Sequence, residues 1–457
     1  MSKFYSILIY IFIGISLVSC SKLEEYQMSK KYQVGWSLDG SFATYAVMKS
    51  DYATLSTSVS FARSEIDPSM DSYFTDKDGN ILCYIISPTT NGSWGWGAKM
   101  HTYWLTDKPQ IPDKLHLTFF DNFTEQIYQL DANLPKDEIL HHLTTPYRNM
   151  NDLVPGGKKP ANYAGLELAF APNGWVVLFM NGYGNRREIA SWQAKKIEVS
   201  DAIKDEFTVG TYTLWKQEGR ENIYARDMKR YHPEVWNMYQ SGEWVISSDW
   251  YKMMQTKFPW KLEVVDPNGD WLQEYRIEYA NTDRYDTLSD QIDKHRYELK
   301  PVPTKIKTWV FDRTNQLKYY LEFHMHPIPK WVDIDYFYPY YQDPNLTRLF
   351  KQFQSLYPSR SLATNHIPAK PEDFATLKLV LDNDEGKLVE VYLEKDGKII
   401  TIDGAYHYYL AVVEPEQGGG YYPYNYGFPR FLTESKAEDL SNSLFVIYNP
   451  DFKIPIE

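Results

Sequence analysis

The chain has 457 residues, 43% of them hydrophobic and 24% charged, and carries a formal charge of −12 with a pI near 5.4. That length makes two ordinary domains the starting expectation, and the balance of apolar and charged residues excludes a disordered or fibrous chain. An acidic protein without a Lys/Arg-rich run lacks the concentrated basic surface that a phosphate backbone requires, so no nucleic-acid partner is expected.

The first residues read as an address. Lys3 precedes an apolar run from Phe4 to Val18, about 15 residues, short of the roughly 20 that span a bilayer and suited to a signal peptide. The run ends in Leu17-Val18-Ser19-Cys20, which resembles a bacterial lipobox. The resemblance implies cleavage before Cys20 and its acylation, palmitate included. Several acyl chains make a permanent anchor, because each buried methylene contributes about 0.8 kcal/mol. An ordinary signal peptide ending in a chance cysteine is the alternative. Residues 1–19 are therefore assigned to the signal peptide and 20–31 to the anchor and tether. Ser21-Lys22-Leu23-Glu24-Glu25 resembles the Lys-plus-acidic tags that send some bacterial lipoproteins to the cell surface, and it reads equally as a solvated acidic linker. The expected place is the cell envelope, on the surface or periplasmic face of the outer membrane. No later run is long and apolar enough to span a bilayer, so the rest is expected to be soluble and tethered. Cys83, the other cysteine, lies in the apolar run Ile81–Ile86 and reads as a buried small hydrophobe.

From Tyr32 the pattern is strand-like. Tyr32–Leu38 alternates loosely, Asp76-Lys-Asp-Gly79-Asn80 punctuates the chain before the Ile81 run, and Trp94-Gly-Trp-Gly97 reads as an aromatic loop. In Ile111–Leu134, Leu115, Leu117 and Phe119 share one face of a strand and Lys114, His116 and Thr118 the other; the next strand turns Tyr128 and Leu130 inward. Pro135-Lys-Asp-Glu then starts a short helix with Ile139, Leu140 and Leu143 on one side. Asn173-Gly174 and Asn181-Gly182 sit between apolar runs, the signature of type I′ hairpin turns with positive φ at both central residues. Residues 201–257 are rich in aromatics such as Trp236, Trp244 and Trp250, which marks a packed connector rather than a flexible Gly/Ser linker.

Much of this then recurs. Shifting Ile111–Leu134 by 191 positions (302 minus 111) lays Pro112 on Pro303, Lys114 on Lys305, Phe120 on Phe311, Asp121 on Asp312, Tyr128 on Tyr319 and Leu130 on Leu321. A helix follows again, with Asp343 as N-cap, Pro344 first, and Leu346, Leu349, Phe350 and Phe353 at helical spacing. Tyr163–Leu168 answers to Phe374–Leu379, the apolar Trp175–Met180 to Lys387–Leu393, and Asn181-Gly182 to Asp396-Gly397. The expected fold is mainly β, or α+β. It comprises two related antiparallel sheet units from an internal duplication, each with a short helix, at 32–200 and 258–457, the second closing in strand-like Leu444–Tyr448.

Asn173–Leu178, together with Pro112–Leu115, Tyr128 and Leu134-Pro135, resembles a family of bacterial lipoproteins catalogued as domain of unknown function 2931. The resemblance covers unit one, roughly residues 32–198, and reaches unit two only through the internal repeat. It implies an exported lipoprotein and brings no catalytic signature.

Three candidate sites follow. Glu322, His324 and His326 alternate along a strand, so a carboxylate and two imidazoles could converge on Zn²⁺. They align with Asp131, Asn133 and Pro135, opposite the inward Tyr319, Leu321, Phe323 and Met325, and a wet polar face is the favoured expectation. Two aromatic loops, carrying Trp331, Tyr336 and Tyr338, and Tyr421, Tyr422, Tyr424 and Tyr426, offer rigid stacking surface for sugars or a protein; packing over sheet ends is their favoured reading. Asp382–Gly386 lacks the register of a calcium loop and reads as a hairpin turn. No nucleophile elbow, His-Glu-x-x-His or phosphate loop occurs, and no cofactor is expected. The leading expectation is a membrane-anchored envelope protein that binds a protein, such as a toxin or secretion component. Glycan binding is the alternative, and metal-dependent hydrolysis the third.

Overall fold

A computed structural model describes residues 37–42, 59–85, 100–105, 111–121, 124, 126–147, 163–182, 185–208, 237, 240–242, 247–265, 271–287, 295–312, 317–326, 344–381, 388–402 and 404–413. In unit one these form β1 (Ser37–Phe42), β2 (Val59–Ser60), β3 (Ser72–Thr75), β4 (Ile81–Ile85), β5 (Met100–Leu105), β6 (Lys114–Asp121), β7 (Gln126–Asn133), α1 (Lys136–Thr144), β8 (Gly165–Ala171), β9 (Trp175–Asn181), β10 (Arg186–Gln193) and β11 (Lys195–Ile197). The connector contributes α2 (Asp201–Thr208) and α3 (Asp249–Met254). Unit two contains β12 (Phe258–Val265), β13 (Trp271–Tyr279), β14 (Arg284–Thr287), β15 (Leu299–Lys300), β16 (Pro303–Asp312), β17 (Leu317–His324), α4 (Pro344–Leu356), β18 (Ala375–Leu381), β19 (Leu388–Lys395), β20 (Lys398–Thr401) and β21 (Tyr406–Val413). The fold is mainly β, as the alternating runs predict.

The repeat is carried into the hydrogen-bond register. Asp121 pairs with Gln126 and Lys114 with Asn133 across β6–β7, while Asp312 pairs with Leu317 and Lys305 with His324 across β16–β17. Adding 191 to each member of the first pairs gives the second. The parallel pairing of β1 with β8 (Leu38 with Leu166) likewise has a counterpart in β12 with β18 (Leu262 with Leu377). Each unit stacks two sheets. Unit one sets β5-β1-β8-β9-β10 against β4-β3-β6-β7-β11; unit two sets β15-β12-β18-β19-β20 against β14-β13-β16-β17-β21. The units join because β10 meets β14 at Arg186 and Arg284, fusing one sheet from each into a ten-stranded sheet.

Packing follows the sequence pattern. Leu115, Leu117, Phe119, Tyr128 and Leu130 share the unit-one core with Ile139 and Leu143 of α1 and with Leu166, Leu168, Val176 and Leu178 of the facing sheet. In unit two, Leu346, Leu349, Phe350 and Phe353 of α4 are buried against Phe258, Trp260, Ile277, Phe323 and Leu377. Burying each such side chain stabilises by about 1.5–3 kcal/mol, which is what holds a helix this short to the sheet. The connector is packed where it is described: Phe207 of α2 joins Ile127 and Phe120, and Trp250, Tyr251 and Met254 of α3 join the unit-two core.

Two expectations need correction. Asn173-Gly174 and Asp396-Gly397 do turn with positive φ at both residues (58° and 75°, 51° and 77°), but Asn181 and Gly182 do not. Asn181 ends β9 with its amide donated to Glu167, and Gly182 is small because a Cβ there would collide with the Tyr147 hydroxyl. The polar face of β17 is also not wet: His324 and His326 are 1% and 2% exposed. Neighbouring strands offset their charges on that face. Arg276 grips Asp286 (2.5 and 2.9 Å), and Lys305 and Lys307 share Glu278 (3.7 and 3.1 Å), so the face is buried as paired polar groups. Phe323 and Met325 point inward as expected.

Candidate functional site

Two places hold chemistry that the rest of the fold does not use: the seam between the units and the open edge at β20. At the seam, the turn between β13 and β14 seats against the start of β10. Arg186 is bidentate to Glu167 (2.6 and 3.1 Å), lies over the Phe179 ring (3.4 Å), and donates to the carbonyl (3.2 Å) and hydroxyl of Thr282. Thr282 has φ 70°, a strained value for a β-branched residue, and the guanidinium holds both of its oxygens. Next to it, the Glu188 amide donates to Asp283 (2.5 Å), and Asn281 donates to the Glu188 carboxylate (2.9 Å).

The other face of β10 carries Arg187, whose guanidinium sits 3.9 Å from the centre of the Tyr285 ring. Burial opposes its charge, but the Glu298 and Asp283 carboxylates and the Tyr285 ring beneath it favour the cation, which stays protonated. Burial pushes the Tyr163 hydroxyl up to about 12 and Tyr285 above its usual range, so both stay protonated. Glu188 is pushed up by burial against the pull of Lys257. The seam therefore combines a fixed cation, protonated phenols and a bidentate buried ion pair. That arrangement locks two units together.

Deeper in unit two, the Lys300 ammonium donates to the carbonyls of Trp260 (3.0 Å), Glu298 (2.9 Å) and Arg296 (3.4 Å). Burial pushes it down to about 7, opposed by Glu298. In unit one, burial pushes the Cys83 thiol up to about 11, which removes the thiolate a reactive cysteine needs and agrees with its reading as a small hydrophobe.

The β20 edge is different in kind. β20 ends its sheet, bonded to β19 alone among the described strands, with Ile399 59% exposed and Lys398 and Thr401 exposed beside it. Its counterpart in unit one is β10. Asn181 pairs with Arg186 where Glu394 pairs with Ile399, and Met180 with Arg187 where Leu393 pairs with Ile400. The position that Arg186 uses to close the seam is thus an exposed isoleucine in unit two.

Of the sequence candidates, Cys20, Trp331, Tyr336, Tyr338, Tyr421, Tyr422, Tyr424 and Tyr426 lie outside the described residues, as do Trp94–Gly97, Asp382–Gly386 and Leu444–Tyr448. Glu322 and His324 are on β17, with His326 just beyond it, and the side chain of Glu322 lies outside what is described. Among the described residues no group of three or more His, Cys, Asp or Glu is gathered to hold a metal, and no helix is long and apolar enough to cross a membrane. Sequence reasoning missed the seam because Arg186-Arg187-Glu188 looks like any solvated strand start. The exposed edge left a faint signal in Ile399-Ile400, two adjacent apolar residues one position after the Asp396-Gly397 turn.

The segment that supplies β2–β11 and opens the connector matches a known family. Residues 59–232 fit the model of the family described as Protein of unknown function (DUF2931). The DUF2931 match overlaps the expected 32–198 but begins after β1 and runs on into the connector; it stops before β12, so it takes in one side of the seam, Glu167 and β10, and not the other. No curated protein and no solved structure matches.

Proposed function

We propose that this is a lipid-anchored protein of the bacterial cell envelope that works by binding another protein, with β20 as its docking edge. The observation that carries the reading is Ile399. It is a large apolar side chain, 59% exposed on an end strand, at the position whose counterpart in unit one is closed by the neighbouring unit. An end strand offers unpaired backbone donors and acceptors, and an added strand from a partner satisfies them while side chains set specificity. The anchor is supported by the Phe4–Val18 run and Leu17-Val18-Ser19-Cys20.

Immobilised full-length protein tests the binding reading. Wild type is expected to retain a reproducible partner from envelope extracts, and Ile399→Asp to lose it; equal retention by both sinks the reading of this edge. The anchor is checked separately: incorporation of labelled palmitate should disappear in Cys20→Ser, and undiminished labelling would remove Cys20 as the lipid site.

A further inference from the structure

We infer that Arg187 anchors a binding site for a small carboxylate ligand at the seam, built from its guanidinium, the Tyr163 hydroxyl and the face of the Tyr285 ring. The site is separate from the β20 edge and stands or falls without it. Elsewhere in the same sheet the fold gives a buried arginine its own carboxylate: Arg186 is bidentate to Glu167, and Arg276 to Asp286. Arg187 forms no such pair among the described residues. Its contacts are the Tyr285 ring, 3.9 Å away, and a hydrogen bond with Tyr163.

The repeat shows that the architecture does not require a charge here. Arg187 pairs with Met180 where Ile400 pairs with Leu393, and Ile400 packs against the unit-two core. An apolar side chain therefore fits this position. A desolvated arginine without a bonded carboxylate is a cost that the fold alone does not explain.

The surroundings suit a carboxylate. A guanidinium is a planar fork that matches two carboxylate oxygens. Burial pushes the Tyr163 hydroxyl up to about 12, so it keeps its proton and can donate to the same group. The rings of Tyr147 (4.9 Å) and His142 (5.1 Å) pack against Tyr163 and offer a wall for the body of the ligand. Arg187 is half-buried and none of its nitrogens is shut away without a partner, so its open donors reach solvent. The charges of Glu298 and Asp283 act on the guanidinium, which in turn acts on Glu138. Three acids around one cation favour a singly charged ligand over a phosphate dianion.

Titration calorimetry on the full-length chain in detergent tests the site, with benzoate and glucuronate as probes, benzamide and glucose as their neutral analogues, and inorganic phosphate as the dianion. At least one carboxylate should bind saturably while its neutral analogue does not, and Arg187→Gln should weaken that binding roughly tenfold or more. Binding of benzoate alone assigns an aromatic acid, and of glucuronate alone an acidic sugar. Equal binding of acid and neutral analogue, tighter binding of phosphate, or no saturable binding of either acid at concentrations on the order of millimolar overturns the proposal. So does unchanged affinity in a folded Arg187→Gln. If that variant does not fold, Tyr163→Phe decides in its place: weakened binding of the acid supports the site, and unchanged binding removes it.

Discussion

The strand pair β8–β9 and its counterpart β18–β19 occupy the same place in two copies of one architecture, yet they bury different surfaces. Every residue of β8 and β9 is buried, because Leu166, Leu168, Val176 and Leu178 face their own core while Ala169, Trp175, Val177 and Phe179 pack against α3 and the unit-two core. In β18 burial alternates, and Glu390, Tyr392 and Glu394 of β19 face outward. The same lattice positions carry Glu167 with Asn181 in one unit and Lys378 with Glu394, 2.7 Å apart, in the other. A strand pair covered on both faces must be apolar throughout or pair its charges completely; one covered on a single face keeps the period-2 alternation. The difference in sequence is a record of which unit was covered by its neighbour.

The largest test of this contrast removes one member of each polar bridge. Glu167→Ala leaves Arg186 buried without its carboxylate and is expected to cost about 3–5 kcal/mol, read as a lowered midpoint in urea unfolding. Lys378→Ala, at the matching position on an accessible face, is expected to cost at most about 1 kcal/mol. Comparable losses would mean that the two faces are equally covered.

Much of the scaffold is legible in the sequence alone. Pro344, Leu346, Leu349, Phe350 and Phe353 specify α4, and Asn173-Gly174 specifies its hairpin turn, because both signals are local: helical spacing in one case and backbone sterics in the other. Coverage was not legible. Alternation tells which residues share a face and says nothing about what lies over it. For that reason His324 and His326 read as solvent-facing, and nothing in the pattern singles out Arg186. Their burial depends on partners far along the chain: Thr282 for Arg186, and charge pairs on β13, β14 and β16 beside the histidines.

A second contrast lies in how each unit buries a cation. Unit one gives Arg186 a carboxylate, whereas unit two gives Lys300 three carbonyls. The folded-state pKa of Lys300 is depressed, from 10.5 to about 7, so between those values the unfolded chain holds a proton that the folded chain has released. Stability should therefore rise with pH from about 7 toward 10.5 and be insensitive to this group below 7. A gain on the order of 2–4 kcal/mol across that window is expected, at the low end because the carbonyls favour the ammonium. Lys300→Met should flatten the pH profile without lowering stability at pH 7. A variant with the wild-type slope would assign the effect to other groups.

The two hairpin glycines sharpen the comparison at a smaller scale. Gly174 and Gly397 share positive φ, but a Cβ on Gly174 would strike the Tyr128 ring while one on Gly397 would meet nothing. Gly397→Ala should cost about 1 kcal/mol, the backbone effect alone, and Gly174→Ala roughly 1–3 kcal/mol more from overpacking. Thermal unfolding of both variants separates the two contributions. Equal losses would show that the Tyr128 ring moves aside freely, and that the unit-one core at this hairpin is looser than its burial suggests.

The smallest expected effect is at Ile399, and it bears most directly on function. A side chain 59% exposed on an end strand contributes little to folding, so Ile399→Asp should leave the unfolding free energy within about 0.5 kcal/mol. The reciprocal change at the counterpart position, Arg186→Ile, leaves Glu167 buried without its arginine and should be as damaging as Glu167→Ala. One position in the repeat would then be essential to the fold in unit one and dispensable to it in unit two. An exposed isoleucine that folding does not need, next to open backbone, is an aggregation liability unless something binds it. A stability loss of several kcal/mol in Ile399→Asp would place the residue inside the fold and remove the reason to look for a partner there.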